Sequence, residues 1–228
     1  MLHGAIGSSL QLETFADSLK KDFEIYLWNF TGHGGKDIPS EPFSIKMFAD
    51  DVLLFIDKNK LSGINVYGYS MGGYVALYIA RHYPGKINKI FTTATKFNWT
   101  PETSLKESKL LNPENIIEKF PVLAKELEQR HSQWNWKAVL NKTSEMMIAL
   151  GFQPELMSGD FKYIENEILL SVGDRDKMVS IEETIDVYRK LKNGRLLVIP
   201  NTPHPIEKLS VERLNFEILK FLKNKSGE

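Results

Sequence analysis

The chain has 228 residues, with 29 Lys plus Arg against 29 Asp plus Glu, so its formal net charge is zero. That balance argues against nucleic-acid or anionic-membrane partners, which usually leave a basic excess, and the absence of cysteine excludes disulfides, thiolate nucleophiles and cysteine-held metals. A hydrophobic share of 42% and a charged share of 25% suit a soluble globular protein of one domain with a small insertion.

The N-terminal MLHGAIGSSLQLE lacks the charged and apolar regions of a signal peptide. No run approaches the roughly 20 apolar residues needed to span a bilayer. A cytoplasmic location is the default expectation. Residues 24–30 (EIYLWNF) read as a short aromatic strand ending at a Gly-rich loop. From Ser44 to Leu61 a helix is expected, capped by Ser44, with Ile45, Phe48, Val52, Phe55 and Ile56 at helical spacing. Ile64 to Tyr69 is a compact apolar strand, Met71 to Tyr83 a helix stopped by Pro84, and Ile87 to Thr93 a strand. Between about Lys96 and Tyr163 the strand signal vanishes. That stretch is helical in pattern and broken at Pro101, Pro113, Pro121 and Pro154. Its first part, Lys96 to Lys109, mixes charges and reads as a solvated surface. Strands resume at residues 167–172 and 195–200. They are followed by helices at 180–191, opened by a Ser180/Glu183 capping box, and at 206–223.

This alternation predicts an α/β fold with a mostly parallel sheet covered by helices on both faces. Residues 1–95 and 164–228 form the core, and 96–163 form a helical insertion. Active sites of such sheets gather at the carboxyl ends of the strands, where the insertion would act as a lid.

Gly68-Tyr69-Ser70-Met71-Gly72 matches G-x-S-x-G between an expected strand and an expected helix. A sharp turn there lifts the serine hydroxyl clear of the sheet and aims the Met71 N–H at the reacting centre. Serine needs a base. Among the five histidines, His204 lies in the loop after the last strand, on the same rim as Ser70. His82 falls near the end of the helix that starts at Met71. His131 falls in the insertion, and His33 sits in the Gly-rich loop. The base in turn needs a carboxylate to hold its tautomer. Gly173-Asp174-Arg175-Asp176 offers two aspartates. Asp176, deeper in the loop, is preferred, while Asp174 is suited to capping the turn or pairing with Arg175.

Taken together, these motifs resemble the α/β-hydrolase superfamily. LHGAIGS at the start is similar to its His-Gly oxyanion loop and NFTGHGGK to its Gly-His-Gly loop, with Asn29 where aspartate is common. GYSMGG resembles the nucleophile elbow, GDRDKMV the acid loop and TPHPIE the histidine loop. The resemblance implies that Ala5 N–H joins Met71 N–H as the second oxyanion donor. Within the superfamily the chain looks most like the serine esterase and lyase branch, which includes small carboxylesterases, pimeloyl-ester hydrolases and menaquinone-pathway synthases. One departure stands out. Members carry two strands and most of a third before the His-Gly loop, whereas here only Met1 and Leu2 precede it. A truncated or stub central strand is therefore expected, with backbone groups left unpaired.

The leading expectation is a serine hydrolase acting on a small carboxylic ester, with Ser70, Asp176 and His204 catalytic and no cofactor or metal. Trp99, Trp134, Met146 and Met147 of the insertion are the candidate substrate-binding residues. The same triad is also compatible with carbon–carbon bond hydrolysis or elimination, and the scaffold with a non-catalytic ligand-binding homologue.

Overall fold

The computed structural model describes residues 1–132 and 135–223. Among them a four-stranded sheet runs β1 (Ile64–Tyr69), β2 (Ile87–Thr93), β3 (Ile168–Gly173) and β4 (Gly194–Ile199), in that spatial order and parallel throughout. The connecting helices are α1 (Glu13–Leu19), α2 (Ile45–Lys58), α3 (Met71–His82), α8 (Ile181–Tyr188) and α9 (Val211–Lys223). Between β2 and β3 come α4 (Pro101–Ser108), α5 (Pro113–Lys119), α6 (Pro121–His131) and α7 (Trp136–Phe152). No helix among the described residues is long and apolar enough to cross a membrane.

The period-2 alternation of the strands sorts the core into two faces. Val66, Ile90, Ile168 and Leu170 pack against α2, α3 and α8. Tyr67, Phe91, Leu169 and Ile199 pack against α1 and α9 on the other side. Caps appear where the sequence carries them. Ser44 Oγ accepts from Met47 N–H at 3.0 Å, and Ser180 and Glu183 form their capping box. Pro101, Pro113 and Pro121 begin helices, each at the first helical position, where the missing N–H costs nothing.

Two expectations are corrected. Residues 24–30 form no strand, only an isolated parallel bridge at Trp28. Among the described residues Trp28 bridges to Leu2 alone. Leu2 lies between Trp28 and β1: Leu2 N–H donates to Tyr67 O at 2.9 Å, and Leu2 O accepts from Tyr69 N–H at 3.0 Å. Alongside, the space between the 23–28 segment and β1 stays open as a cavity of about 360 Å³, lined by Phe23, Tyr26, Phe55 and Ile64 among others. The central position is thus occupied at its carboxyl end, which places the residues leading to Ala5. Lastly, the 206–223 helix is broken: a 3₁₀ turn at Ile206–Lys208 precedes α9, whose first turn is held by Arg213 N–H donating to Ser210 Oγ at 3.3 Å.

Candidate active site

Ser70 stands at the junction of β1 and α3 with φ 50° and ψ −115°. For a residue with a Cβ this is strained backbone, costing roughly 1–3 kcal/mol, and it persists only where neighbours over-determine it. They do so here. Ser70 N–H donates to Thr93 O at 2.8 Å, and Ser70 O accepts from Gly73 N–H at 3.0 Å and from the Thr95 hydroxyl at 3.1 Å. The turn is tight enough that a Cβ on Gly68 would lie 2.5 Å from Gly73 N, and one on Gly72 2.4 Å from Leu2 O.

His204 reaches the same rim from the loop after β4. Its carbonyl accepts from Tyr69 Oη–H at 2.8 Å, and burial raises the Tyr69 phenol pKa well above its ordinary value, keeping it a donor. Ser70 Oγ lies 3.5 Å from His204 Nε2, and His204 Nδ1 lies 2.7 Å from Asp176 Oδ2. The second oxygen of Asp176 accepts from Met178 N–H and Val179 N–H, both at 2.8 Å, so the carboxylate is fixed and aimed at the ring. Its side chain is 1% exposed, that of His204 18%. A buried carboxylate on Nδ1 favours the Nδ1–H tautomer, which leaves the Nε2 lone pair facing the serine. Asp174 is used differently. It accepts from Thr202 N–H at 3.1 Å and clips the histidine loop to the acid loop.

Ala5 and Met71 line one pocket with Ser70. Neither of their N–H groups donates to another group among the described residues, so both are available to an oxyanion. The loop carrying Ala5 is braced by buried histidines. His3 Nδ1–H donates to Gly4 O at 2.7 Å, and its Nε2 accepts from Phe30 N–H at 3.3 Å. His131, at the end of α6, accepts from Gly34 N–H at 3.1 Å and donates to Ile6 O at 2.9 Å, which Arg130 also reaches at 3.0 Å. His33 donates to Thr31 O at 3.1 Å. Burial lowers all three pKa values, His131 to about 4, His33 to about 3, and His3 well below its usual value, so these rings are neutral.

Trp99, Met146 and Met147 line the pocket beside Ser70. Trp134 lies outside the described residues. Met71 and Met178 complete a thioether lining, joined by Tyr74 and Leu150. Lys96 and Glu107 also line it, at 8% and 4% exposure, so the solvated-surface reading of 96–109 is corrected. Ser104, Glu107, Ser108 and Leu111 share one helical face by spacing, and that face is buried against α7. His82 ends α3 with its ring centre 4.3 Å from that of Tyr78, the planes tilted by 40°, away from this chemistry.

Comparison with known proteins agrees with this architecture. The family described as alpha/beta hydrolase fold matches residues 1–136. A bifunctional esterase/perhydrolase of Acinetobacter calcoaceticus is 26% identical over 237 residues, spanning 90% of this chain and 84% of its own. A thermophilic esterase from Thermogutta terrifontis superimposes with a TM-score of 0.75 at 20% identity, covering 97% of this chain and 88% of that one. A meta-cleavage product hydrolase from Pseudomonas fluorescens gives 0.75 at 16% identity, with coverage of 97% and 88%.

Proposed function

Because the chain belongs to the alpha/beta hydrolase fold family, we propose that it is a serine hydrolase that cleaves small carboxylic esters through an acyl-Ser70 intermediate. The observation that carries this reading is the continuous line Ser70 Oγ, His204 Nε2, His204 Nδ1, Asp176 Oδ2, with separations of 3.5 and 2.7 Å. The first separation is at the long limit of a hydrogen bond, as is common before substrate tightens a catalytic contact.

Ser70 Oγ attacks the ester carbonyl while His204 Nε2 takes its proton. The N–H groups of Ala5 and Met71 hold the oxyanion, each worth about 3 kcal/mol of barrier. Collapse expels the alcohol, which receives the proton from His204. Water, deprotonated by the same imidazole, then releases the acid. Asp176 stabilises the imidazolium in both halves without itself taking the proton.

The test is turnover of a short-chain 4-nitrophenyl ester together with labelling of Ser70 by a fluorophosphonate. Ser70→Ala is expected to abolish labelling and to lower kcat by at least about 10⁴-fold. Ester turnover that survives this substitution unchanged refutes the proposal. A parallel series of β-diketones tests the carbon–carbon alternative: cleavage of these in preference to esters would reassign the reaction while keeping the triad. Failure of the folded protein to react with either the probe or any substrate would favour a non-catalytic binding protein.

A further inference from the structure

Resting on the ester-hydrolase reading, we propose that Glu107 sets the acyl specificity of this site by accepting a hydrogen bond from a donor group, hydroxyl or ammonium, on the acyl part of the substrate. Glu107 is 4% exposed and lines the pocket that contains Ser70, Ala5 and Met71. Its carboxylate has no hydrogen-bond or ion-pair partner among the described residues. A carboxylate removed from water is costly unless something hydrogen-bonds to it. The other charged group lining the pocket, Lys96, is already engaged. Its ammonium donates to Met178 O at 3.0 Å and lies 3.9 Å from Glu183 Oε2. The pocket that Ser70 lines therefore carries a carboxylate with no hydrogen-bond or ion-pair partner among the described residues.

The acyl side is indicated by the position of His204. The imidazole protonates the leaving alcohol, so that alcohol departs on the His204 side. His204 does not line this pocket, whereas both oxyanion donors do. The group that stays on Ser70 after the alcohol has left is the one that faces Glu107. The cavity holds about 30 Å³, room for roughly one water. A short acyl chain enters by displacing that space and shifting the unbranched side chains of Met146, Met147 and Met178, which repack at little cost.

Three proteins are compared: wild type, Glu107→Gln and Glu107→Leu. Each is assayed with 4-nitrophenyl esters of butanoic, 3-hydroxybutanoic and 3-aminobutanoic acids. Wild type is expected to favour at least one donor-bearing ester over butanoate by about tenfold or more in kcat/KM, the usual consequence of leaving a buried polar group unpaired with the plain substrate. Which one, hydroxyl or ammonium, tells the two donors apart. Glu107→Gln keeps an acceptor without the charge and should retain part of a hydroxyl preference while losing an ammonium preference. Glu107→Leu should reverse the order in favour of butanoate. Wild-type turnover without discrimination, or discrimination unchanged in Glu107→Leu, overturns the assignment. If wild type turns over none of the esters and Ser70 resists the fluorophosphonate, the hydrolase reading falls and takes this inference with it.

Discussion

The two aspartates of the acid loop stand two residues apart, yet they do different work. Asp176 places one oxygen on His204 and spends the other on two backbone N–H groups. Asp174 holds only the Thr202 N–H and stays exposed to solvent. Asp176→Asn is therefore expected to lower kcat by roughly 10⁴-fold with little change in KM, because an amide stabilises the wrong imidazole tautomer. Asp174→Asn should lose less than about 1 kcal/mol of stability and change kcat less than tenfold. Steady-state kinetics and thermal melts on the pair check this, and equal kinetic defects would refute the assignment of the acid. The sequence prefers Asp176 only for its depth in the loop. Only the direction of each side chain separates them.

Helix α6 acts on the site through its last two residues. Arg130 and His131 both bond the carbonyl of Ile6, next to the Ala5 N–H, and His131 also holds Gly34 N–H. The helix thus ties the insertion to two loops of the sheet body, and His131 braces the loop that carries Ala5. His131→Leu leaves the Gly34 N–H buried without a partner, a loss of about 1–3 kcal/mol. The same change loosens the Ala5 turn, so kcat should fall more than KM rises. His131→Gln can donate and accept at once and should recover part of the kcat. A Leu variant that melts early but keeps full kcat would reduce His131 to a structural brace. The sequence places His131 in the insertion and no more, because no local pattern reports contacts 125 residues away in the chain.

Across the whole molecule, a row of three neutral imidazoles links stability to pH: the ring centre of His33 lies 5.2 Å from that of His3 and 5.6 Å from that of His131. Each ionises near 6.5 in an unfolded chain and at lower pH when folded. As pH falls below 6.5 the unfolded state binds more protons than the native one, so stability is full above that value and declines as pH drops toward 4. A buried histidine contributes about 1.4 kcal/mol for each unit by which its pKa is lowered. Urea unfolding is thus expected to show a midpoint that is flat from about pH 7 upward and falls steeply by about pH 5. The slope should be shallower in His131→Gln, and a midpoint independent of pH over this range would contradict the neutral, buried cluster.

By itself the sequence determined the order of strands and helices, the elbow around Ser70, the capping residues Ser44 and Ser180, and the ordered motifs that bring Ser70, Asp176 and His204 to one rim. These are encoded in short-range spacing, where hydrophobic periodicity and backbone sterics act within a few residues. Only the tertiary structure decided what lies across long separations: that residues 24–30 form no ladder, that Lys96 and Glu107 are buried in the pocket that Ser70 lines, and that His131 braces the loop carrying Ala5. Burial and partnership are properties of the assembled packing. A charged residue at a helix position reads as solvated until the helix packed against it is known.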